Sequence, residues 1–478
     1  MELVIARRHC MGEVGDSNLH PVLRRAYAAR GVRDQNELSL TLDRLMPVGT
    51  LSGVEAAVRL ILEHRERRIL VVGDFDADGA TSTALIVRCL RAWGFASVDF
   101  LVPNRFEFGY GLTPEIVGLA AERAPSLIVT VDNGISSNAG VAAARARGIQ
   151  VLVTDHHLPG QTLPDADVIV NPNAPGCGFA SKALAGVGVA FYVMAAVRRE
   201  IDARGTVVMP PVTDFLDLVA LGTVADLVPL DVNNRVLVSQ GIRRIRAGRA
   251  VPGIRALLQI GNRSVPSVTA ADLGFTIGPR LNAAGRLDDM SIGIRCLLAD
   301  SDAEALALAT RLDQLNTERR EIEARMQGAA LAAVSHLRET AAEGPTRQGV
   351  CLFDADWHQG VVGLVASRIK DRIRRPVIAF ARGGEGTLRG SARSVAGIHI
   401  RDVLDGMAAR HPTLISRFGG HAMAAGLTID EGNLDAFARA FDEEVARWRD
   451  SRAPKDRASA PPLRRRRARR QRDCLRRW

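Results

Sequence analysis

Three aspartates occupy alternate positions in the stretch GDFDADGATS, at Asp74, Asp76 and Asp78, directly after the apolar run at 69–72. Two later apolar runs end in the same way. LIVTVDNG places Asp132 just past its run, and IQVLVTDHHLPG places Asp155, His156 and His157 past another. Asp226 follows a fourth apolar run in VALGTVADLVPL. Carboxylates gathered this closely repel one another and take up protons unless divalent cations neutralise them. Five or six oxygen and imidazole ligands brought to one place would therefore form a cation site, and cation-assisted hydrolysis is the chemistry open to it.

Each piece alone has a plainer reading. An Asp-x-Asp pair after a strand serves as a turn or a helix cap. Asp132 before Asn-Gly could make a turn, and Asp226 could cap a helix. A histidine near a strand end can be a hydrogen-bonded structural residue. The Asp-His-His triplet is rarer, and the repetition of the pattern at successive strand ends favours the joint reading.

The elements that would position these residues alternate in type. Apolar runs at 69–72, 98–102, 127–131, 149–153 and 168–170 read as strands, and amphipathic stretches at 81–93, 114–123 and 137–147 as helices. That alternation predicts an α/β domain with a parallel β-sheet flanked by helices on both faces. Ligands of such sheets collect beyond the carboxyl ends of the strands, where the first aspartates stand. Residues 302–339 lack proline, hold one glycine and space leucines at helical intervals, which predicts a long connecting helix. A second α/β region follows, with VCLFDA and PVIAFA as strands. The organisation expected is an N-terminal cap at 1–50, a catalytic domain at 51–300, a connecting helix at 301–340, a smaller α/β domain at 341–448 and a disordered arginine-rich tail at 449–478.

Composition narrows the class. Of 478 residues, 47% are hydrophobic and 24% charged, as in globular proteins. No stretch has the length and apolarity of a membrane span, and the N-terminus lacks the apolar region of an export signal, so a cytoplasmic protein is expected. Six scattered cysteines without a CxxC pair argue for a reducing compartment and against a thiolate zinc site. The net charge of +10 is concentrated: residues 464–478 carry nine arginines and one aspartate, leaving only +2 for the rest. Any nucleic-acid groove in the body is therefore a local patch.

The motifs GDFDADG, VDNG, TDHH and ADLVPL resemble the four motifs of the DHH phosphoesterase superfamily. The surrounding stretches PNRFEFGYGLT, LGFTIGPRLNAAGRLDD, WHQGVVGLVASRI, LRGSARSVAGIHI and RFGGHAMAAGL resemble its bacterial single-strand-specific DNA exonucleases. The last three are similar to the DHHA1 substrate-binding domain that accompanies the DHH domain. The resemblance implies two divalent cations, Mn2+ or Mg2+. Asp74, Asp76 and Asp132 would hold the first; Asp78, Asp132, His156 and Asp226 the second, with Asp132 shared. His157 would face the scissile phosphate, and Asp155 would orient the histidines. Other members carry a histidine two residues before the position of Asp74, where this chain has Val72. The activity implied is 5′-to-3′ hydrolysis of single-stranded DNA in repair and recombination, with water as nucleophile. An oligoribonuclease or cyclic-dinucleotide phosphodiesterase of the same superfamily, or a non-catalytic replication scaffold, are the alternatives.

Substrate contacts are expected from Tyr110 as a stacking residue, from Arg280, Asn282 and Arg286 in GPRLNAAGR, and from Arg393 in GSARS. Gly419, Gly420 and His421 are expected to cradle a phosphate where a glycine-rich loop runs into a helix. The implied partners are single-stranded DNA and a helicase or single-strand-binding protein, at the nucleoid and with no membrane. Relatives continue past the DHHA1 domain into an OB-fold. Here thirty residues follow Trp448, too few for a five-stranded barrel, which reads as a truncation or a frame change; a basic DNA-binding tail is the alternative.

Overall fold

The structure is a computed structural model that describes residues 19–104, 108–205, 209–340, 347–384 and 386–451. The arginine-rich stretch at 464–478 and the first eighteen residues of the expected cap lie outside these. Residues 19–50 form a short helix, Pro21–Ala28, and three single turns.

The chain divides into two compact units at Ile322/Glu323, inside a helix that runs from Asp302 to Thr340. The first unit is built on five strands: β1 Arg68–Gly73, β2 Ser97–Leu101, β3 Leu127–Val131, β4 Gln150–Thr154 and β5 Val168–Val170. They lie in the order β2-β1-β3-β4-β5, all parallel. Parallel neighbours need crossovers, and the helices Ala77–Ala92, Pro114–Ala121 and Asn138–Arg145 supply them. Side chains of β1 alternate between the two faces. Ile69 and Val71 join a core with Leu85, Val189 and Leu218, whereas Leu70 and Val72 pack with Ile116, Val117 and Val141. Both faces are covered, which is why the strands read as unbroken apolar runs.

Helices Gly186–Ala203 and Leu216–Ala225 pack on the first crossover helix, and the second of them brings Asp226 to the site. Asp226 thus stands at a helix C-terminus and not at a strand end. A short, wholly buried apolar run has no polar face to reveal its period, so VALGTVA in sequence is typed neither as strand nor as helix.

The second unit holds β6 Val350–Phe353, β7 Val377–Gly384, β8 Thr387–Arg393, β9 Arg417–Gly420 and β10 Ala424–Asp430. Their order is β6-β7-β8-β10-β9, with β6 and β7 parallel and the remainder antiparallel. Helices Val362–Ile373, Ile400–Arg410 and Leu434–Ser451 accompany the sheet. GGHAMAAG is a hairpin between β9 and β10 here, so the expected loop-to-helix cradle is corrected. Gly420 has φ +150° and pairs with Ala425 across the hairpin. No single described helix is long and apolar enough to cross a membrane.

Candidate metal centre

The carboxyl ends of β1, β3 and β4 stand side by side, because β3 pairs with both of the others. The segments leaving them carry the acidic residues. After β1 the chain turns into the Ala77–Ala92 helix, and Asp76 caps it by accepting from the N–H groups of Asp78 and Gly79. After β3, Asp132 takes φ 61°, a left-handed conformation that aspartate tolerates better than branched residues. Asn133 fixes this turn by donating to the carbonyls of Val72 and Val131, which ties the ends of β1 and β3 together.

After β4, Asp155 organises the histidine pair. Its Oδ1 accepts from the N–H groups of His156 and His157 and from His157 Nδ1 at 2.8 Å, while Oδ2 accepts from Ile135 N. Those bonds occupy the carboxylate, which makes Asp155 an orienting group. Asn171 and Asn173, just past β5, donate to the carbonyls of His157 and His156. Gly186 completes the enclosure: a Cβ there would lie 2.7 Å from that of Asp132. Its N–H and that of Val187 donate to Asp78, which is 1% exposed. Neither asparagine nor Gly186 stood out in the sequence; NPN directly after a strand was the available signal.

Three overlapping sets of ligand atoms result, each within 4.8 Å of one another: Asp74, Asp76 and Asp132; Asp78, His156 and Asp226; and Asp132, His156 and His157. His156 Nε2 lies 3.1 Å from Asp132 Oδ1, 3.5 Å from Asp226 Oδ2 and 4.0 Å from Asp78 Oδ2. Atoms that share a cation at bond lengths of about 2.0–2.2 Å stand at such separations. Asp132 Oδ1, His156 Nε2 and Asp226 Oδ2 are all buried without a hydrogen-bond partner. Buried polar atoms are otherwise paired, so this donor set fits divalent cations.

The electrostatics agree with the geometry. Burial, then the charges of Asp78, Asp76 and Asp74, hold Asp132 well above the usual carboxylate range. Burial and Asp78 push Asp226 up to about 9. Burial and Asp76 push Asp78 to about 7, against the two backbone N–H groups that favour its charge. Burial and the neighbouring His157 push His156 down to about 4. This favours the neutral imidazole, and its Nε2 has no hydrogen-bond partner. A neutral imidazole with a bare nitrogen is suited to bind a metal. His157 behaves oppositely. Burial opposes its charge, but the hydrogen bond and charge of Asp155 prevail and push it up to about 9.

Of the expected substrate residues, Tyr110 stands at the centre: its hydroxyl donates to the Asp132 carbonyl at 3.2 Å, and its ring meets His157 edge-on at 6.1 Å. Asn282 touches the first aspartate turn, accepting from Ala77 N at 2.8 Å. Arg286 is half-buried on the same helix, Gly278–Leu287. Arg280 is engaged internally, bonding Asp313 and the Thr276 carbonyl with 11% of its side chain exposed. In the second unit, Arg393 pairs in register with Ala424 and Gly420 with Ala425, so Arg393, Gly419, Gly420 and His421 share one end of the sheet.

The DHH family, N-terminal domain, matches residues 68–223, and the DHHA1 domain matches residues 347–447. The chain is 54% identical over 453 residues to the single-stranded-DNA-specific exonuclease RecJ of Escherichia coli, covering 93% of this chain and 78% of that protein. It is 37% identical over 427 residues to the enzyme of the same name from Thermus thermophilus, covering 89% of this chain and 59% of the relative. The solved structure of RecJ in complex with Mn2+ from Thermus thermophilus superposes with a TM-score of 0.74 at 36% identity, covering 88% of this chain and 58% of that one.

Proposed function

Since the chain belongs to the RecJ family of single-stranded-DNA-specific exonucleases among the DHH phosphoesterases, we propose that it removes nucleotides from the 5′ end of single-stranded DNA using two divalent cations. The observation that carries this reading is the chain of ligand sets: Asp132 groups with Asp74 and Asp76, and also with His156, which groups in turn with Asp78 and Asp226. Atoms of Asp132, His156 and Asp226 are buried and unpartnered. We assign Asp74, Asp76 and Asp132 to the first cation, and Asp78, Asp132, His156 and Asp226 to the second, either Mn2+ or Mg2+. When bound, the cations neutralise phosphate oxygens, lower the pKa of water and stabilise the departing 3′-oxygen.

The residues of the chain do the remainder. Asp155 holds the Nδ1 proton of His157, which turns Nε2–H outward to donate to a phosphate oxygen as charge builds on it. Asn171 and Asn173 keep the two imidazoles at fixed depth through their carbonyls. Tyr110, 51% exposed beside His157, offers a face for the terminal base. We assign phosphate contacts to Arg286 and, in the second unit by itself, to Arg393, Gly419, Gly420 and His421. An exonuclease confined to single strands needs a duplex opened or a strand kept bare. A helicase and a single-strand-binding protein in the cytoplasm, at the nucleoid, are therefore its proposed partners.

The test is digestion of a single strand labelled at the 5′ or 3′ end, of the matching duplex and of pApA, each with Mn2+ and with EDTA. Early release of the 5′ label from the single strand alone, abolished by EDTA, is expected. Preference for pApA would favour an oligoribonuclease, and release of the 3′ label first would reverse the polarity.

A further inference from the structure

The first turn of the Ala77–Ala92 helix carries Asp76 at its cap and follows Asp74 directly. A helix N-terminus leaves its first N–H groups without intrahelical partners, and buried ones must be satisfied from elsewhere. Here those of Ala77, Asp78, Gly79 and Ala80 can be traced. Asp78 N and Gly79 N donate to Asp76 Oδ1, and Ala80 N to the Asp76 carbonyl. Ala77 N is left over, and Asn282 Oδ1 takes it from 205 residues away at 2.8 Å.

A second contact comes from the same helical face. Residues three apart on a helix are surface neighbours, so Asn282 and Gly285 of Gly278–Leu287 look the same way. A Cβ on Gly285 would stand 1.8 Å from the Phe75 carbonyl oxygen, so the helix backbone rests directly on the turn between Asp74 and Asp76. Arg280 fastens this helix in turn through Asp313 and the Thr276 carbonyl. The aspartate turn is held from within by Asp76 and from outside by this face.

We propose that Asn282 and Gly285 are positioning residues for the first cation: they fix the backbone between Asp74 and Asp76, and with it the spacing of the two carboxylates. Asn282 thereby acts on metal binding through Ala77, and Gly285 through Phe75, in place of the substrate contact the Asn282 motif suggests. The proposal rests on the two-cation reading above.

The test is Mn2+ titration followed by the signal of free Mn2+ in electron paramagnetic resonance, without DNA, on the wild type, Asn282→Leu, Asn282→Asp and Gly285→Ala. Leucine keeps the volume and removes the acceptor; aspartate keeps an acceptor at the same reach. Asn282→Leu and Gly285→Ala are expected to weaken one of two Mn2+ sites by roughly tenfold or more, the size of effect usual for groups that orient ligands. Asn282→Asp should stay within about threefold of wild type, far less than an orienting loss. Thermal unfolding of the metal-free proteins serves as the folding control. If the leucine variant does not fold, Asn282→Ser, polar but too short to reach Ala77, carries the same expectation. Two unchanged sites in the leucine or serine variant overturn the proposal. So does an aspartate variant that binds Mn2+ normally alongside an equally normal leucine variant, but has a raised KM for DNA. A wild type that binds fewer than two ions overturns the two-cation reading, and this proposal with it.

Discussion

His156 Nε2 and Asp132 Oδ1 face each other at 3.1 Å, both buried and neither with a hydrogen-bond partner. The histidine is held neutral while the aspartate carboxyl is held well above its usual range. Burial and the neighbouring aspartates set the direction of the carboxyl, and burial and His157 that of the imidazole. A cation placed between the two groups would use the bare imidazole lone pair and reverse the carboxyl shift by displacing its proton.

Protons should accordingly leave as metal enters. Asp78 is pushed to about 7 and Asp226 to about 9 in the metal-free site. Calorimetry of Mn2+ binding near neutral pH in buffers of different ionisation enthalpy should reveal net proton release, and apparent affinity should fall as the pH is lowered. Affinity independent of pH between about 6 and 8 would contradict these shifts.

The same shifts set how the metal-free fold responds to pH. A carboxyl whose folded pKa exceeds its unfolded value binds more protons when folded, so stability falls as pH rises between the two values. The unfolded value is about 4, so the stability is fully present below that pH and is lost through about 7 for Asp78 and about 9 for Asp226. The melting temperature of the EDTA-treated protein should therefore decline from about pH 5 to pH 9 more than that of the Mn2+-loaded protein. Parallel declines would remove the carboxylate cluster as the cause.

His156 and His157 should separate on substitution. His156→Ala is expected to lose bound metal, and His157→Ala to keep it while losing turnover, because His157 Nδ1 is tied to Asp155 and its other nitrogen is assigned to the phosphate. Metal content of the two purified variants decides the point. Equal depletion would place both histidines on the cations, which the set of Asp132, His156 and His157 is close enough to allow.

Gly186 offers a test at a residue that is not a ligand. A Cβ there would fall 2.7 Å from that of Asp132 and 2.9 Å from its Oδ1, closer than real contacts allow. Gly186→Ala should weaken Mn2+ binding by roughly tenfold to a hundredfold, as losses in the supporting shell do. An alanine variant with wild-type affinity would show that Asp132 can move freely, and that its placement is not what the glycine secures.

Much of this site was legible in the chain because the parallel sheet writes itself as unbroken apolar runs, and each of Asp74, Asp132 and Asp155 falls directly after one. Two parts were less legible for physical reasons. The buried helix before Asp226 has no polar face, so the apolar run shows no period to type it. The glycines of GGHAMAAG serve a hairpin as readily as a helix entry, and local composition does not separate the two. The supporting residues were hidden for another reason. Asn133, Asn171, Asn173 and Gly186 act on backbone groups or through close approach, and Asn282 reaches a partner on a distant part of the chain. Local patterns such as NPN or GPRLNAAGR mark the residues without encoding these contacts.

The shared position of Asp132 is the centre of the account, and counting bound Mn2+ tests it most directly. Titration of the wild type, Asp226→Ala and Asp132→Ala, read by electron paramagnetic resonance, should find two ions on the wild type. The Asp226 variant should retain one tight ion, with activity partly recovered at high Mn2+. The Asp132 variant should hold neither ion tightly, and its exonuclease activity should fall by about a hundredfold or more with the fold intact. Two tight ions on the Asp132 variant, or activity within about tenfold of wild type, would contradict the two-cation centre.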